Sequence, residues 1–547
     1  MRSRRSRRGR HERGGSMPEE TSTVRDITRG LLRRLGLTTV FGNPGTTEVP
    51  FLTDWPDDFR YVLGLQESAV VAMADGYAQA RREPVLVNLH SAGGVGHALG
   101  SVFTAYRNRT PMIVTAGQQT RSLMFGEPFL GATDAASFPQ PYVKWSYEPA
   151  RAADVPAALM RAYQIATQPP YGPVFVSIPA DDWDQPGVEV ADRPRTRGFA
   201  ADPDSVAELA EALNSCERPA FVVGPAVDGD GVVDEMVRLA EKARAEVWVS
   251  PMSPRCSFPE DHPAFAGFLH PERKALSKEL AAYDLVVVWG APAFTYHVYR
   301  GESDVELPEM FVVHDDPDVL ARAVRGRGVL GTLAHSVRQV SALVGQSDRA
   351  EPRGCERPDK PAPSTPMTAA YVFDTISSAL PDDAAVVEET PSHRNDLHDH
   401  FPIRSTDGGF FTCASGALGY GIGAAVGVAM ADQTRRTVAL LGDGSSMYGV
   451  QALWTAAREQ TPVTFVIMDN SRYAAVAVLG EAAGGSKLPG VELGGIDFVG
   501  LATSLGVPAK SVNTPEELDA ALGEEFTTMN GPSLLHVKVD PGQRYLY

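Results

Sequence analysis

The chain has 547 residues, 43% of them hydrophobic and 22% charged. At about 150 residues per domain, that is enough for three or four units with buried cores. The net charge is −18, from 50 Lys and Arg against 68 Asp and Glu, which excludes the basic footprint of a nucleic-acid binder. Four cysteines without CxxC spacing exclude a zinc cluster or a disulfide framework, no apolar run reaches the about 18 residues of a membrane span, and a cytoplasmic protein is expected.

The first sixteen residues, MRSRRSRRGRHERGGS, carry seven arginines and no apolar stretch. Residues 1–20 therefore read as a disordered basic arm rather than a secretory signal, with Met17 as an alternative start and salt-sensitive contact with nucleic acid through the arm as the lesser reading. A helix is expected over 24–37, with Ile27, Leu31, Leu32 and Leu35 on one face. Strand and helix then alternate: a strand over 38–42, YVLGL (61–65), a helix over 68–80, VLVNL (85–89), a glycine-rich turn with a helix, MIVTAG (112–117) and PVFVSIP (173–179). This alternation marks an α/β domain with a parallel sheet, over 21–190. After a proline- and charge-rich stretch (181–198), a second α/β domain is expected over 200–345, with strands PAFVVG, AEVWVS, LVVVWG and MFVVHD. Residues 346–366 read as a linker by composition. A third domain is expected over 367–547, with strands AAVVEE, TVALLG, VTFVIM and SLLHVKV. The expected fold is thus three doubly wound parallel-sheet α/β domains, the first and third alike in length and plan.

The third domain holds the most informative segment. An apolar run, Thr437 to Leu441, reads as a buried strand and leads into Gly442-Asp443-Gly444-Ser445. A helix is expected over 447–460, with Val450, Leu453, Trp454 and Ala457 on one face, then a strand over 463–468 ending at Asp469-Asn470. Parallel neighbours in such a βαβ unit put both C-terminal loops on one sheet edge. Asp443 and Asn470, 27 positions apart in sequence, become neighbours there. Two side-chain oxygens, joined by a carbonyl and phosphate oxygens, suit Mg²⁺. The glycines beside Asp443 let a diphosphate approach the backbone. An ordinary βαβ unit with a turn glycine and an asparagine cap would carry the same residues. Glu67, which ends YVLGLQE and opens the 68–80 helix, has an equally plain reading as a helix N-terminal carboxylate favoured by the dipole.

The GDG and paired-asparagine spacing is the signature of thiamine-diphosphate enzymes, with Asp469 here in place of the first asparagine. Taken with GNPGTTEVPFL (42–52), LQESAVVAMADGYAQA (65–80), NLHSAGGVGHALG (88–100), SPRCSFPEDHPAF (253–265), GAPAFTYHVY (290–299) and CASGALGYGIGAAVG (413–427), the chain from about Thr38 to Val539 resembles the benzoylformate decarboxylases. These are thiamine-diphosphate-dependent 2-oxo acid decarboxylases. The resemblance implies thiamine diphosphate and Mg²⁺ (or Ca²⁺) as cofactors. It implies a site shared between the first domain of one subunit and the third of another. The partners expected are a small 2-oxo acid and further copies of the chain, at least a dimer and on balance a tetramer, with neither nucleic acid nor membrane. Position by position, it implies Glu67 facing the aminopyrimidine, His90 and His297 as active-site histidines, and Thr46 standing where the family has serine. It implies cofactor contacts from Asn43, Pro44, Ser392, Gly444, Ser445 and Tyr473, with Leu418 wedging the cofactor into a bent form. It implies metal ligation by Asp443, Asn470 and the backbone carbonyl of Arg472.

The activity so implied is loss of CO₂ from benzoylformate or a related arylglyoxylate, giving an aldehyde. No side chain delocalises the carbanion left behind, so a cofactor must. Thr46 and the stretch AAVAVLG (474–480), where the family has larger residues, put substrate preference on Val476, Val478 and Leu479. A branched aliphatic 2-oxo acid is the other substrate class. Two further functions compete. One is a carboligase of the acetolactate-synthase kind, which would give a hydroxyketone. The other is a catalytically silent nucleotide-binding scaffold, for which GGVGHALG offers only GxGxxxG.

Overall fold

Short runs of β-branched residues between glycines and prolines become strands buried on both faces; in Leu285–Trp289 every residue is buried. The computed structural model describes residues 22–292, 294–297, 299–404, 407–485, 487–526 and 531–542, so the basic arm expected over 1–20, with Met17, lies outside the described residues. The first sheet holds β1 (Thr39–Gly42), β2 (Arg60–Leu63), β3 (Val85–Leu89), β4 (Met112–Gln118), β5 (Ser146–Tyr147) and β6 (Val174–Pro179), in the order β2-β1-β3-β4-β6-β5. The second holds β7 (Pro219–Val223), β8 (Glu246–Val249), β9 (Phe265–Phe268), β10 (Leu285–Trp289), β11 (Glu309–His314) and β12 (Arg327–Leu330), in the order β12-β11-β10-β7-β8-β9. The third holds β13 (Ala385–Glu389), β14 (Phe410–Thr412), β15 (Thr437–Gly442), β16 (Val463–Asp469), β17 (Ala509–Val512) and β18 (Ser533–Lys538), in the order β14-β13-β15-β16-β18-β17. All neighbouring strands run parallel, with helices between them, as the α/β reading requires. Counted from its own first strand, the third sheet repeats the order of the first.

Several expected bounds shift, each for a local reason. The first helix stops at Arg34, because Gly36 turns the chain at φ 72°. The second strand stops at Leu63, and Leu65 is exposed. The helix expected over 447–460 is broken: a single turn, Asp443–Ser446, is followed by loop residues, and Ala452–Glu459 is the helix proper. Edge strands β12 and β17 carry no continuous apolar run, since most of their residues face solvent. Their sequences therefore gave no strand signal.

The first and third units pack against each other through the helices Glu67–Arg81 and Gly421–Ala431. Small residues permit that approach. A Cβ on Gly427 would lie 1.9 Å from the Met73 carbonyl oxygen, so only glycine fits there. The contact fixes the helix that Glu67 opens against the helix that follows Leu418.

Candidate active site

In the first unit the loop after β1, the end of β2 and the end of β3 converge on one sheet edge. Glu67 is buried at the N-terminus of its helix. Its Oε1 accepts from Asn43 Nδ2 (3.2 Å), and its Oε2 pairs with His97 Nδ1 (3.1 Å). His90 caps the helix Ser91–Arg107, with a side chain 22% exposed. Its Nδ1 lies 2.9 Å from Glu48 Oε2 and 3.1 Å from Thr47 Oγ1. Glu48 is 1% exposed. Its Oε2 also accepts from Gly45 N (2.9 Å), and its Oε1 accepts from Thr47 Oγ1 (2.7 Å) and Gly117 N (2.8 Å). With Glu48 Oε2 as the acceptor, His90 donates through Nδ1, and the lone pair of the ring is then on Nε2.

In the third unit, β15 and β16 are parallel neighbours, with Gly442 in register with Met468. Their ends bring Asp443 and Asn470 to one edge, as the spacing predicts. Asp443 is 5% exposed. Its Oδ1 accepts from Gly444 N (2.7 Å), while its Oδ2 is buried and without a hydrogen-bond partner. Burial, joined by the neighbouring Asp469 carboxylate, pushes Asp443 up to about 6. Asn470 Nδ2 donates to His393 Nε2 (3.4 Å), and its Oδ1 accepts from Arg472 N (3.1 Å). The Arg472 carbonyl accepts from Ala474 N (2.9 Å). The ring of Tyr473 closes over Gly444: a Cβ there would sit 2.2 Å from a ring carbon. Ser445 donates its hydroxyl to the carbonyls of Glu389 (2.9 Å) and Gly442 (3.0 Å), so that hydroxyl is turned into the protein. Ser392 Oγ accepts from Ala475 N (3.1 Å), at the start of the helix Ala474–Ala482.

The loop that carries half-buried Leu418 is held by Glu389, whose carboxylate accepts from the N–H groups of Gly419 (2.7 Å), Tyr420 (3.2 Å) and Gly421 (3.0 Å). Burial pushes this carboxyl up to about 8, against the pull of those donors. Thr46 and Pro44 are exposed beside half-buried Asn43. His297 is exposed in the central unit, on the described segment 294–297, and its backbone N donates to the Pro271 carbonyl (2.9 Å). A cavity of about 870 Å³ opens elsewhere, at the junction of the three units, lined by Gln79, Lys144, Pro225, Arg255, Gly290 and Asp315. None of the expected site residues lines it.

Four residues at these edges were not singled out from the sequence: Glu48, His97, Glu389 and His393. Glu48 and His97 stand inside segments that carry the family resemblance, but nothing in their spacing separates a buried carboxylate or its histidine partner from a solvated one. Glu389 ends an apolar strand, the one signal that could have marked it.

The third-unit edge suits a hydrated divalent cation with a diphosphate. A buried carboxylate oxygen lacks a partner, an amide oxygen and a carbonyl follow the end of the adjacent strand, and Gly444 is shaped around an aromatic ring. Among the described residues no three His, Cys, Asp or Glu side chains cluster to hold a metal, so the candidate set is one carboxylate, one amide and one carbonyl.

Three family models match, each described as part of a thiamine pyrophosphate enzyme: the N-terminal TPP binding domain over 22–134, the central domain over 206–340 and the C-terminal TPP binding domain over 390–537. A benzoylformate decarboxylase of Pseudomonas aeruginosa is 42% identical over 506 residues, covering 91% of this chain and 96% of its own. The crystal structure of benzoylformate decarboxylase from Polynucleobacter necessarius superposes with a TM-score of 0.93 at 38% identity, over 95% of this chain and 99% of that one. A thiamine diphosphate-dependent 4-hydroxybenzoylformate decarboxylase of Rhodococcus jostii gives 0.91 at 38%, with the same coverage. Acetolactate synthase large subunits match at lower identity, 24% for isozyme 1 of Escherichia coli.

Proposed function

The chain belongs to the thiamine pyrophosphate enzyme family, and from that premise we propose that it decarboxylates an arylglyoxylate of the benzoylformate type, without oxidation, to an aldehyde and CO₂. Thiamine diphosphate, when bound, supplies the electron sink for the bond that breaks. Asp443, Asn470 and the Arg472 carbonyl would hold Mg²⁺ or a similar cation, with Gly444, Ser445, Ser392 and Tyr473 around the diphosphate. Glu67, oriented by Asn43 and His97, would hold the aminopyrimidine, and Leu418 would shape the cofactor from the opposite loop. His90, fixed by Glu48, presents Nε2 for proton transfer, with His297 as its second and Thr46 as a donor to the substrate. Val476 and Leu479, exposed on the helix that follows the metal loop, with half-buried Val478, give an apolar wall suited to an aryl group.

The observation that carries this reading is the buried, unpartnered Oδ2 of Asp443 beside Asn470. A carboxylate oxygen buried without a donor is costly unless a cation completes it. The same reading makes the enzyme a homo-oligomer, at least a dimer and on balance a tetramer. Phe125 and Phe129, 101% and 87% exposed, lie on the segment whose Leu130 carbonyl accepts from Ser91, the residue after His90. A second copy of the chain covering that segment would also enclose the site. Four free cysteines fit a cytoplasmic enzyme, and no helix among the described residues is long and apolar enough to cross a membrane.

The test is a panel of 2-oxo acids with thiamine diphosphate and Mg²⁺, reading CO₂ and the organic product together. Benzaldehyde or a substituted benzaldehyde with stoichiometric CO₂ is expected. A hydroxyketone as the main product would favour carboligation instead, and no binding of thiamine diphosphate would overturn the reading.

A further inference from the structure

Asp469 stands where the family pattern has asparagine, one residue before the candidate ligand Asn470. Its carboxylate is 4% exposed at the end of β16, in register with Lys538 on β18. Each oxygen accepts two hydrogen bonds. Oδ1 takes the N–H (2.8 Å) and the hydroxyl (2.9 Å) of Ser471, and Oδ2 takes His536 Nε2 (2.6 Å) and Lys538 Nζ (2.5 Å). Lys538 also reaches Ser471 Oγ, at 3.4 Å. An amide at 469 would offer one oxygen to Ser471 and turn its NH₂ toward a lysine ammonium, which cannot accept.

Ser471 itself is held in a costly conformation, φ 57°, in the left-handed region that side chains avoid. Such a residue persists only where several contacts fix it. Here they are its two bonds to Asp469 and a third from Leu493 N to its own carbonyl (2.8 Å). It is the residue between Asn470 and Arg472, so its backbone decides where the amide oxygen of one and the carbonyl of the other point.

We infer that Asp469, Lys538 and His536 form a charge-balanced clamp that holds 470–472 in the metal-binding turn, and that Lys538 is needed because residue 469 is a carboxylate. Asp469 and Lys538 are positioning residues; neither is assigned a bond to metal or substrate. The inference rests on the proposed metal and diphosphate site at Asp443 and Asn470. In this chain the carboxylate at 469 is met by basic side chains on the neighbouring strand.

The test compares native protein, Asp469→Asn, Lys538→Met, Lys538→Arg, the double variant Asp469→Asn/Lys538→Met, and Asp443→Ala as a control. Each is freed of metal and cofactor, then titrated with Mg²⁺ at fixed thiamine diphosphate, following tryptophan fluorescence. Thermal melting without cofactor reports folding separately. Native protein is expected to saturate, and Asp443→Ala to fail. Asp469→Asn and Lys538→Met should each weaken Mg²⁺ binding about tenfold or more, as losses of supporting contacts to metal ligands do. The double variant should return to within about threefold of native, because the amide then no longer faces an ammonium that cannot accept, and Lys538→Arg should lie near native.

Lys538→Met is the decisive arm. Deleting a cation near a metal site strengthens metal binding by charge alone. A loss therefore reads the geometry of the loop, and a gain would overturn the clamp. Additive losses in the double variant would overturn it as well. So would native-like affinity in Asp469→Asn while Asp443→Ala fails. Failure of the native protein to bind thiamine diphosphate at all would instead remove the proposed function, and the clamp's purpose with it. Should Lys538→Met not fold, Lys538→Arg and the double variant still decide: both must bind Mg²⁺ more tightly than Asp469→Asn.

Discussion

At the strand ends of the first sheet stand Glu48, Glu67 and His90; at the corresponding edge of the third, whose strand order is the same, stand Glu389, Asp443 and Asn470. Each edge has a buried glutamate that accepts backbone N–H groups from a distant loop. Glu389 uses both oxygens on Gly419, Tyr420 and Gly421, and so fixes only a loop. Glu48 divides its oxygens between Gly45 and Gly117 N–H groups and the side chains of Thr47 and His90, and so also fixes a base. One scaffold has thus been given two tasks by the residues after its strands. On the function proposed above, the first edge would orient groups that move protons, and the third, where Asp443 Oδ2 has no hydrogen-bond partner, would take a cation. The sheet is a support, and the chemistry lives in the loops at its C-terminal ends.

The sharpest way to break this division is Asp443→Ala. Affinity for Mg²⁺ and thiamine diphosphate should fall together, by more than the about 10–100-fold typical when only a ligand's supporting partner is lost. Unchanged cofactor binding in a fluorescence titration would move the metal site elsewhere. Glu67→Gln, on the other edge, should cut turnover by about 100-fold or more, the usual scale of acid–base assistance, with cofactor affinity and melting temperature nearly kept. If both variants fail in the same way, at binding, the two edges do not divide the work as described.

How much of this could be read in advance follows from what each feature looks like in one dimension. The three sheets were legible because their central strands are continuous apolar runs such as LVVVW and TVALL. The neighbourhood of Asp443 and Asn470 followed from one βαβ unit, and β15 and β16 do lie side by side. The broken helix after Asp443 was not legible. Val450, Leu453, Trp454 and Ala457 keep helical spacing, but Gly449, whose N–H donates to the Ser446 carbonyl, sits in a loop before the helix proper. Glu48 and Glu389 were missed because their value lies in backbone N–H groups up to 69 positions away, in the case of Gly117, and no local pattern reports those. The compensation of Asp469 by His536 and Lys538 was hidden for the same reason: the partners are on β18.

Glu48→Gln tests the proton-moving edge more gently. The amide keeps the shape but turns NH₂ toward either a backbone N–H or His90. Turnover should drop by about 10-fold, less than for Glu67→Gln because the ring remains. The pH–rate profile should change in shape, since the acceptor that holds His90 Nδ1 is replaced by an amide. A uniform loss with an unmoved profile would mean Glu48 only supports the loop, as Glu389 does.

The smallest effect is expected on the third edge, with Glu389→Gln. Its folded-state value, about 8, lies above the ordinary carboxyl value of 4.5, so the folded protein holds this proton more tightly than the unfolded chain. A raised value contributes stability that is complete below about 4.5 and is lost as pH rises through about 8. Glutamine cannot ionise and carries no such dependence. The stability of native protein relative to Glu389→Gln should therefore shrink as pH rises from 6 to 9, by about 1–3 kcal/mol, the scale of an imperfectly satisfied buried polar group. Melting curves of both proteins across that range measure it. A constant difference would mean that the three N–H donors keep Glu389 ionised throughout, so that the two buried glutamates are held alike and differ only in what they hold.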